Sequence, residues 1–159
     1  MEVFQHQLLK MSKVIILIGI PASGKSTWAA EFIENNPDWT KTGRDDFRYM
    51  LQNKGFCSGK IENVITKAQS FLVEELVKSN VDVIIDNTHV SLKYIEHWIN
   101  LLNRQNVEIY TLRFDVSLAQ AISRDKLRQR SVGFNVINSM YNSLQTLDIS
   151  NLNLKEWSL

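Results

Sequence analysis

Gly19-Ile20-Pro21-Ala22-Ser23-Gly24-Lys25-Ser26 fits the spacing G-x-x-x-x-G-K-[ST], in which a glycine-rich turn wraps nucleotide phosphates with backbone N–H groups. The flanking residues supply the context the motif requires. Val14-Ile15-Ile16-Leu17-Ile18 is a continuous apolar run, as expected of a strand buried on both faces. Thr27-Trp28-Ala29-Ala30-Glu31-Phe32-Ile33 reads as the helix that follows. Strand, loop and helix start thus occur in the order of a phosphate-binding loop. In such a loop Gly19, Ala22, Ser23 and Gly24 lie against the phosphates of ATP, Lys25 reaches the β- and γ-phosphates, and Ser26 places its hydroxyl on Mg²⁺. Thr27 is a further phosphate contact. The helix that begins near Gly24 turns its N–H groups and positive dipole end toward the same anion.

The 159 residues suffice for one domain, and 44% apolar content with scarce Gly and Pro describes a folded globular chain. No apolar run approaches the roughly 20 residues of a membrane span, and no signal-peptide pattern opens the chain. The net charge of +1 argues against a protein that coats long nucleic acid, but not against one that grips a few nucleotides at a strand end. Cys57 is alone, which excludes a disulfide framework and a cysteine-based metal site and makes a reducing cytoplasm the expected compartment. Residues 1–12 read as a poorly ordered extension before a second methionine-led start at Met11, residues 13–147 as the body, and 148–159 as a tail. Leu152, Leu154 and Trp157 of that tail are expected to pack back on the body.

Strands alternate with helices along the body. Trp39–Thr42 reads as a short strand, Asp45–Asn53 as a helix, and 54–59 as a loop. A longer helix follows, with Ile61, Val64, Ile65, Ala68, Leu72 and Leu76 as its apolar face. Val81–Asp86 is the next buried strand, Ser91 a helix N-cap, Val107–Phe114 a fourth strand, and Ser117 the start of a helix that turns strongly basic. Gly133 breaks it before a last helix with Val136, Ile137, Met140 and Leu144. This alternation implies right-handed crossovers and a parallel sheet covered by helices on both faces, an α/β fold. Ligands of such sheets bind beyond the carboxyl ends of the strands, so Arg44-Asp45, Asp86-Asn87-Thr88 and Asp115 should gather beside the phosphate loop.

Asp86 is followed by Asn87 rather than by a glutamate that would activate water, so the site suits transfer to a bound acceptor better than hydrolysis. Transfer to a hydroxyl calls for a carboxylate beside it. Asp45 is the best candidate, with Arg48 three residues on to hold a neighbouring phosphate; Asp46 projects elsewhere. Arg124 and Arg128, four apart on one helical face, can close over the transferring phosphate, with Arg130 just beyond. His89 follows a strand end and is a weaker candidate for substrate contact. No cluster has metal-ligand spacing, so Mg²⁺ would be held mainly by ATP.

The combination of GIPASGKSTWAAEFI (19–33), GRDDFR (43–48), VIIDNTH (83–89), FDV (114–116), the Arg124 and Arg128 pair and VINSMY (136–141) resembles the kinase domain of the bacteriophage 5′-hydroxyl polynucleotide kinases. The resemblance runs from about Lys13 to Leu147. It implies a P-loop kinase fold with an arginine-bearing lid, ATP and Mg²⁺ held by Lys25 and Ser26, and Asp45 as general base for the 5′-hydroxyl. It also implies that Arg48 binds the phosphate 3′ of the acceptor nucleotide, that Arg124 and Arg128 are lid arginines with Arg128 nearest the transferring phosphate, and that Asn87 and Thr88 face the substrate. The family has Asp-Thr-Asn where Asn87-Thr88-His89 stands here, and this chain contains no D-x-D-x-T phosphatase motif, so no 3′-phosphatase activity is expected. The expected function is ATP-dependent phosphorylation of the 5′-hydroxyl end of DNA or RNA, without a membrane partner. The alternatives are a kinase for a small-molecule hydroxyl and a nucleotide-dependent switch without transfer.

Overall fold

In the computed structural model, which describes residues 11–158, the apolar run around Ile16 becomes β1 (Ser12–Ile18), the middle strand of a five-stranded sheet. The expected extension falls largely on residues 1–10, outside the described range. Its last residue belongs to the body instead: Ser12 is fully buried in β1 and donates its hydroxyl to the Val77 carbonyl at 3.2 Å. The other strands are β2 (Trp39–Thr42), β3 (Asp82–Ile85), β4 (Val107–Arg113) and β5 (Lys155–Glu156). Their order is β2-β3-β1-β4-β5, with every pairing parallel.

Parallel neighbours need crossovers, and helices supply them. They are α1 (Lys25–Asn35), α2 (Arg44–Gln52), α3 (Gly59–Lys78), α4 (Leu92–Leu102), α5 (Leu118–Lys126) and α6 (Phe134–Gln145). Side chains alternate across the sheet, so β1 feeds two cores at once. Val14, Ile16 and Ile18 face α3, α4, α5 and α6 through Val73, Val77, Ile95, Trp98, Leu102, Ala121, Ile137 and Leu144. Ile15 and Leu17 face α1 through Ala29, with Trp28, Phe32, Trp39, Tyr110 and Trp157 packed around them. The strand order reverses at β1, between β3 and β4, and the loop leaving β1 therefore opens at the switch point where such sheets bind ligands.

Three local expectations are corrected. On α3 the buried stripe is Glu62, Ile65, Gln69, Val73 and Val77, while Val64 and Leu72 are exposed. The apolar pattern misplaced the face because two polar residues occupy the buried one. Secondly, α5 stops at Lys126, so Arg128 lies in the following turn and not on one helical face with Arg124. Thirdly, the C-terminal stretch is more than a tail: Leu152 and Leu154 pack back on the body as expected, on the α3–α6 side of the sheet, but β5 also adds a strand beside β4.

Candidate active site

The phosphate loop leaves β1 at Gly19, whose φ of +155° and surroundings both exclude a side chain: a Cβ there would lie 2.9 Å from the Phe114 carbonyl oxygen and from Ser23 Oγ. Ala22 keeps a left-handed φ of +62°, a conformation non-glycine residues hold at a cost where the surrounding loop dictates it. Lys25, the first residue of α1, is only 6% exposed. Its ammonium donates to the Ile20 carbonyl at 2.7 Å and to Ser23 Oγ at 3.3 Å. Burial lowers its pKa to about 8; Asp86 and Asp45 oppose the shift, and Arg128 adds to it. The loop lysine, the strand-end aspartate, the α2 aspartate and the lid arginine therefore share one electrostatic neighbourhood.

Asp86 sits just past β3, and its carboxyl is held above its ordinary pKa by burial, against a hydrogen bond from the Ser26 hydroxyl and the charge of Lys25. Ser26 itself is exposed. A hydroxyl and a carboxylate paired at the mouth of a phosphate loop are hard oxygen donors of the kind Mg²⁺ takes alongside phosphate and water. Among the described residues no group of three or more His, Cys, Asp or Glu could hold a metal on its own. Asp86 belongs with the site residues, and sequence reasoning had left its role open.

The acceptor side is built onto the end of β3. At Gly43 a Cβ would meet the Asp86 carbonyl oxygen at 2.8 Å, so glycine lets the start of α2 press against that strand end. Asn87 then caps α2 from outside: its Oδ1 accepts from the Arg44 backbone N–H at 2.9 Å, and its Nδ2 donates to Gln69 Oε1 at 3.1 Å. Both ends of the amide are thus engaged within the protein, and Asn87 positions α2 rather than facing the cleft. The Thr88 carbonyl accepts from the Gly19 N–H at 3.3 Å, tying β3 to the phosphate loop. His89 is buried, with Nδ1 2.7 Å from the Leu17 carbonyl and Nε2 accepting from the Trp98 indole N–H at 2.8 Å. These partners assign the neutral imidazole, and burial lowers its pKa to about 4. His89 is a structural tie and not a substrate contact.

Asp45 and Arg48 share a face of α2 as their spacing predicts. Arg48 Nη1 donates to Asp45 Oδ1 at 2.6 Å, and the Asp45 side chain is two-thirds exposed. Asp46 turns away to pair with Lys41. Sequence reasoning missed the residue beneath the pair. Glu62, on the buried stripe of α3, accepts from Arg48 Nε at 2.9 Å and Nη2 at 2.8 Å, from Arg44 Nη2 at 2.6 Å and from the Cys57 N–H at 3.0 Å. The hydrogen bond from Arg48 is the main reason its pKa falls to about 2, against the opposing effect of burial. The available signal was a glutamate in register with Ile65, Gln69 and Val73 on an amphipathic helix.

The lid segment joins α5 to α6. Arg124 reaches back to the Ala22 carbonyl at 3.5 Å, and Asp125 is buried beneath the turn. Asp125 accepts from Ser131 Oγ at 2.5 Å, the Val132 N–H at 3.2 Å and the Gly133 N–H at 3.0 Å. Arg128 lies 3.8 Å from the same carboxylate. The structure thus brings Asp45 and Arg128 within electrostatic reach of Lys25, pairs Asp45 with Arg48 and Ser26 with Asp86, and sets Arg124 against the phosphate loop at Ala22. No helix among the described residues is long and apolar enough to cross a membrane.

Known proteins are similar to this chain in sequence and in fold. A proposed bifunctional polynucleotide kinase/RNA ligase of Autographa californica nuclear polyhedrosis virus is 28% identical over 137 residues, covering 77% of this chain and 19% of its own length. The L-seryl-tRNA(Sec) kinase of Methanococcus maripaludis is 25% identical over 137 residues, covering 84% of this chain and 52% of its own. The chain thus spans about a fifth and about half of these relatives. A solved structure of the Pnkp1/Rnl/Hen1 RNA repair complex contains a chain that superposes with a TM-score of 0.80 at 29% identity, over 88% of this chain and 46% of that one. A gluconokinase from Sinorhizobium meliloti 1021 shares the fold alone, with a TM-score of 0.57 at 13% identity. The model of a family described as an AAA domain matches residues 14–147, and the chain belongs to that family, on a P-loop kinase fold.

Proposed function

We propose that this protein is an ATP-dependent kinase for the 5′-hydroxyl end of a polynucleotide. The observation that carries this reading is the exposed Asp45 carboxylate, pinned by Arg48 and near enough to the buried Lys25 for its charge to oppose, after that of Asp86, the fall that burial imposes on the ammonium's pKa. A proton acceptor for a hydroxyl and a cation for the phosphates thus lie within electrostatic reach of one another. As the 5′-oxygen forms its bond to the γ-phosphorus, its proton passes to Asp45, and the bond from that phosphorus to the β–γ bridging oxygen breaks to release ADP. Ser26 and Asp86 would hold Mg²⁺, and the charge it brings would be set against that of the phosphates. Lys25 binds the phosphates, and Arg124 and Arg128 balance the charge that spreads over the moving group.

Arg48 favours a nucleotide acceptor over a bare alcohol. Three of its N–H groups are spent on Glu62 and Asp45, leaving the second N–H of each terminal nitrogen for a phosphate beside the reacting hydroxyl. The names of the viral relative and of the superposed complex both carry RNA, so an RNA end is the first acceptor to test. The test is transfer of labelled γ-phosphate from ATP-Mg²⁺ to matched 5′-hydroxyl and 5′-phosphate oligonucleotides, RNA and DNA. Label should appear on the 5′-hydroxyl strand alone and fall by about a thousandfold or more in Lys25→Ala and Asp45→Asn. ATP binding without label on any strand would instead point to a small-molecule hydroxyl, and a 3′-phosphorylated mononucleotide against its nucleoside would then test the role of Arg48.

A further inference from the structure

We propose that Tyr49 and Arg130 are positioning residues that clasp the lid onto the acceptor helix and so hold Arg124 and Arg128 over the phosphate loop. The Arg130 guanidinium carbon stands 3.3 Å from the centroid of the Tyr49 ring. Tyr49 follows Arg48 on α2, and Arg130 lies in the turn after α5, so this stack joins the acceptor side of the cleft to the lid. Arg130 is solvent-exposed, and among the described residues no carboxylate lies within ion-pairing distance of it. The ring face is therefore its anchor, and a planar, weakly hydrated guanidinium suits that contact better than an ammonium would.

The consequence follows from where the lid is tied. At its base Asp125 gathers Ser131, Val132 and Gly133. At its tip Arg130 rests on Tyr49. Arg128 lies between these anchors, with only a long 3.8 Å approach to Asp125 of its own. Losing the tip anchor leaves the base intact and the phosphate loop untouched, but lets Arg128 swing. The same stack fastens the lid to the helix that carries Asp45 and Arg48, so donor and acceptor halves are held in one arrangement. Tyr49 and Arg130 act through other residues and touch no reacting atom.

The role in transfer rests on the kinase reading above; the clasp itself does not. Hydrogen exchange of backbone amides 127–133 is measured on the full chain for wild type, Tyr49→Phe, Tyr49→Leu, Arg130→Ala and the Tyr49→Leu/Arg130→Ala double variant, with transfer kinetics on the same samples. Both single losses should speed exchange in that segment to the same degree. The double variant should go no further, and Tyr49→Phe, which keeps the ring, should match wild type. The kcat should follow the same order, falling about fivefold for the single and double losses while the KM for ATP holds. Unchanged exchange in the singles, or a double variant faster by the product of the two, would overturn the clasp. Faster exchange with unchanged kcat would overturn the positioning role. A wild type that phosphorylates no 5′-hydroxyl end would overturn the kinase reading instead, with the clasp still judged by exchange.

Discussion

Glu62 decides how the acceptor residues are presented. Its carboxylate takes the Nε–Nη2 edge of the Arg48 guanidinium and a nitrogen of Arg44, at a site where its side chain is 10% exposed. Neutralising it leaves two guanidinium groups facing one another across a lost charge. Glu62→Gln should lower stability by about 2 kcal/mol, less than a fully buried pair would cost because Arg44 and Arg48 retain some water contact. Arg48 would then hold Asp45 loosely, and kcat should fall about tenfold with ATP affinity unchanged, since positioning of the acceptor is what suffers. The pH dependence gives an independent check. The folded pKa of Glu62 is depressed from 4.5 to about 2, so its contribution is complete above 4.5 and lost as the pH falls toward 2. Urea midpoints of wild type should drop more steeply than those of the variant across that window; parallel curves would show that Glu62 is not held as described. The Lys25–Ser26 and Asp45–Arg48 pairs were legible in the sequence because local spacing sets the geometry within each pair. Glu62 lies 14 residues from Arg48 and meets it only through the packing of α3 against α2, which no local pattern encodes.

At the level of elements, the phosphate loop is held by the ends of two strands and one helix. His89, one residue past Thr88, bonds the end of β1 through the Leu17 carbonyl and α4 through the Trp98 indole. Protonating Nε2 would set two N–H donors face to face in a buried site, so the folded protein resists it. With the folded pKa lowered from 6.5 to about 4, stability is complete above 6.5 and lost as the pH falls toward 4. Between pH 6.5 and 4.5, where Glu62 stays ionised, wild type should lose about 2 kcal/mol by denaturant titration, and His89→Gln should start less stable but lose much less over the same interval. An equal slope in both proteins would rule out His89 as the source. Elements were readable where one rule governed them: the continuous apolar run of β1, Ser117 at the start of α5, the glycine that opens α6. On α3 two rules competed. Glu62 and Gln69 are buried for their bonds to the acceptor helix and to Asn87, and that displaced the apolar count onto Val64 and Leu72.

At the scale of the whole molecule, the two sheet faces are covered unequally. Four helices shield one face, whereas α1 and a layer of aromatic rings close the other. Trp157 is central to that layer: its ring centroid lies 5.0 Å from Tyr110, 5.3 Å from Trp39 and 6.0 Å from Phe32, in edge-on or steeply tilted contacts. Its backbone N–H donates to the Thr111 carbonyl at 2.8 Å, extending the β4–β5 pairing. The alternation of strands and helices made the parallel sheet legible, but a two-residue strand supplied from a distant C-terminal stretch carries no periodic signal of its own. The expected tail is in this way part of the scaffold, and its anchor is Trp157. Trp157→Ala should cost about 3 kcal/mol, since it removes a large ring from between three others and leaves a void the sheet cannot close. Trp157→Phe, which keeps an aromatic edge in the layer, should cost about half as much. The phosphate loop leaves the carboxyl end of the central strand β1, and the ring contacts of Trp157 are with Phe32, Trp39 and Tyr110 instead, so the surviving folded fraction should keep its ATP affinity. Chemical denaturation followed by tryptophan emission, with ATP titration of the same samples, separates these outcomes. A stability loss under about 1 kcal/mol in the alanine variant would mean the aromatic layer holds without its C-terminal member.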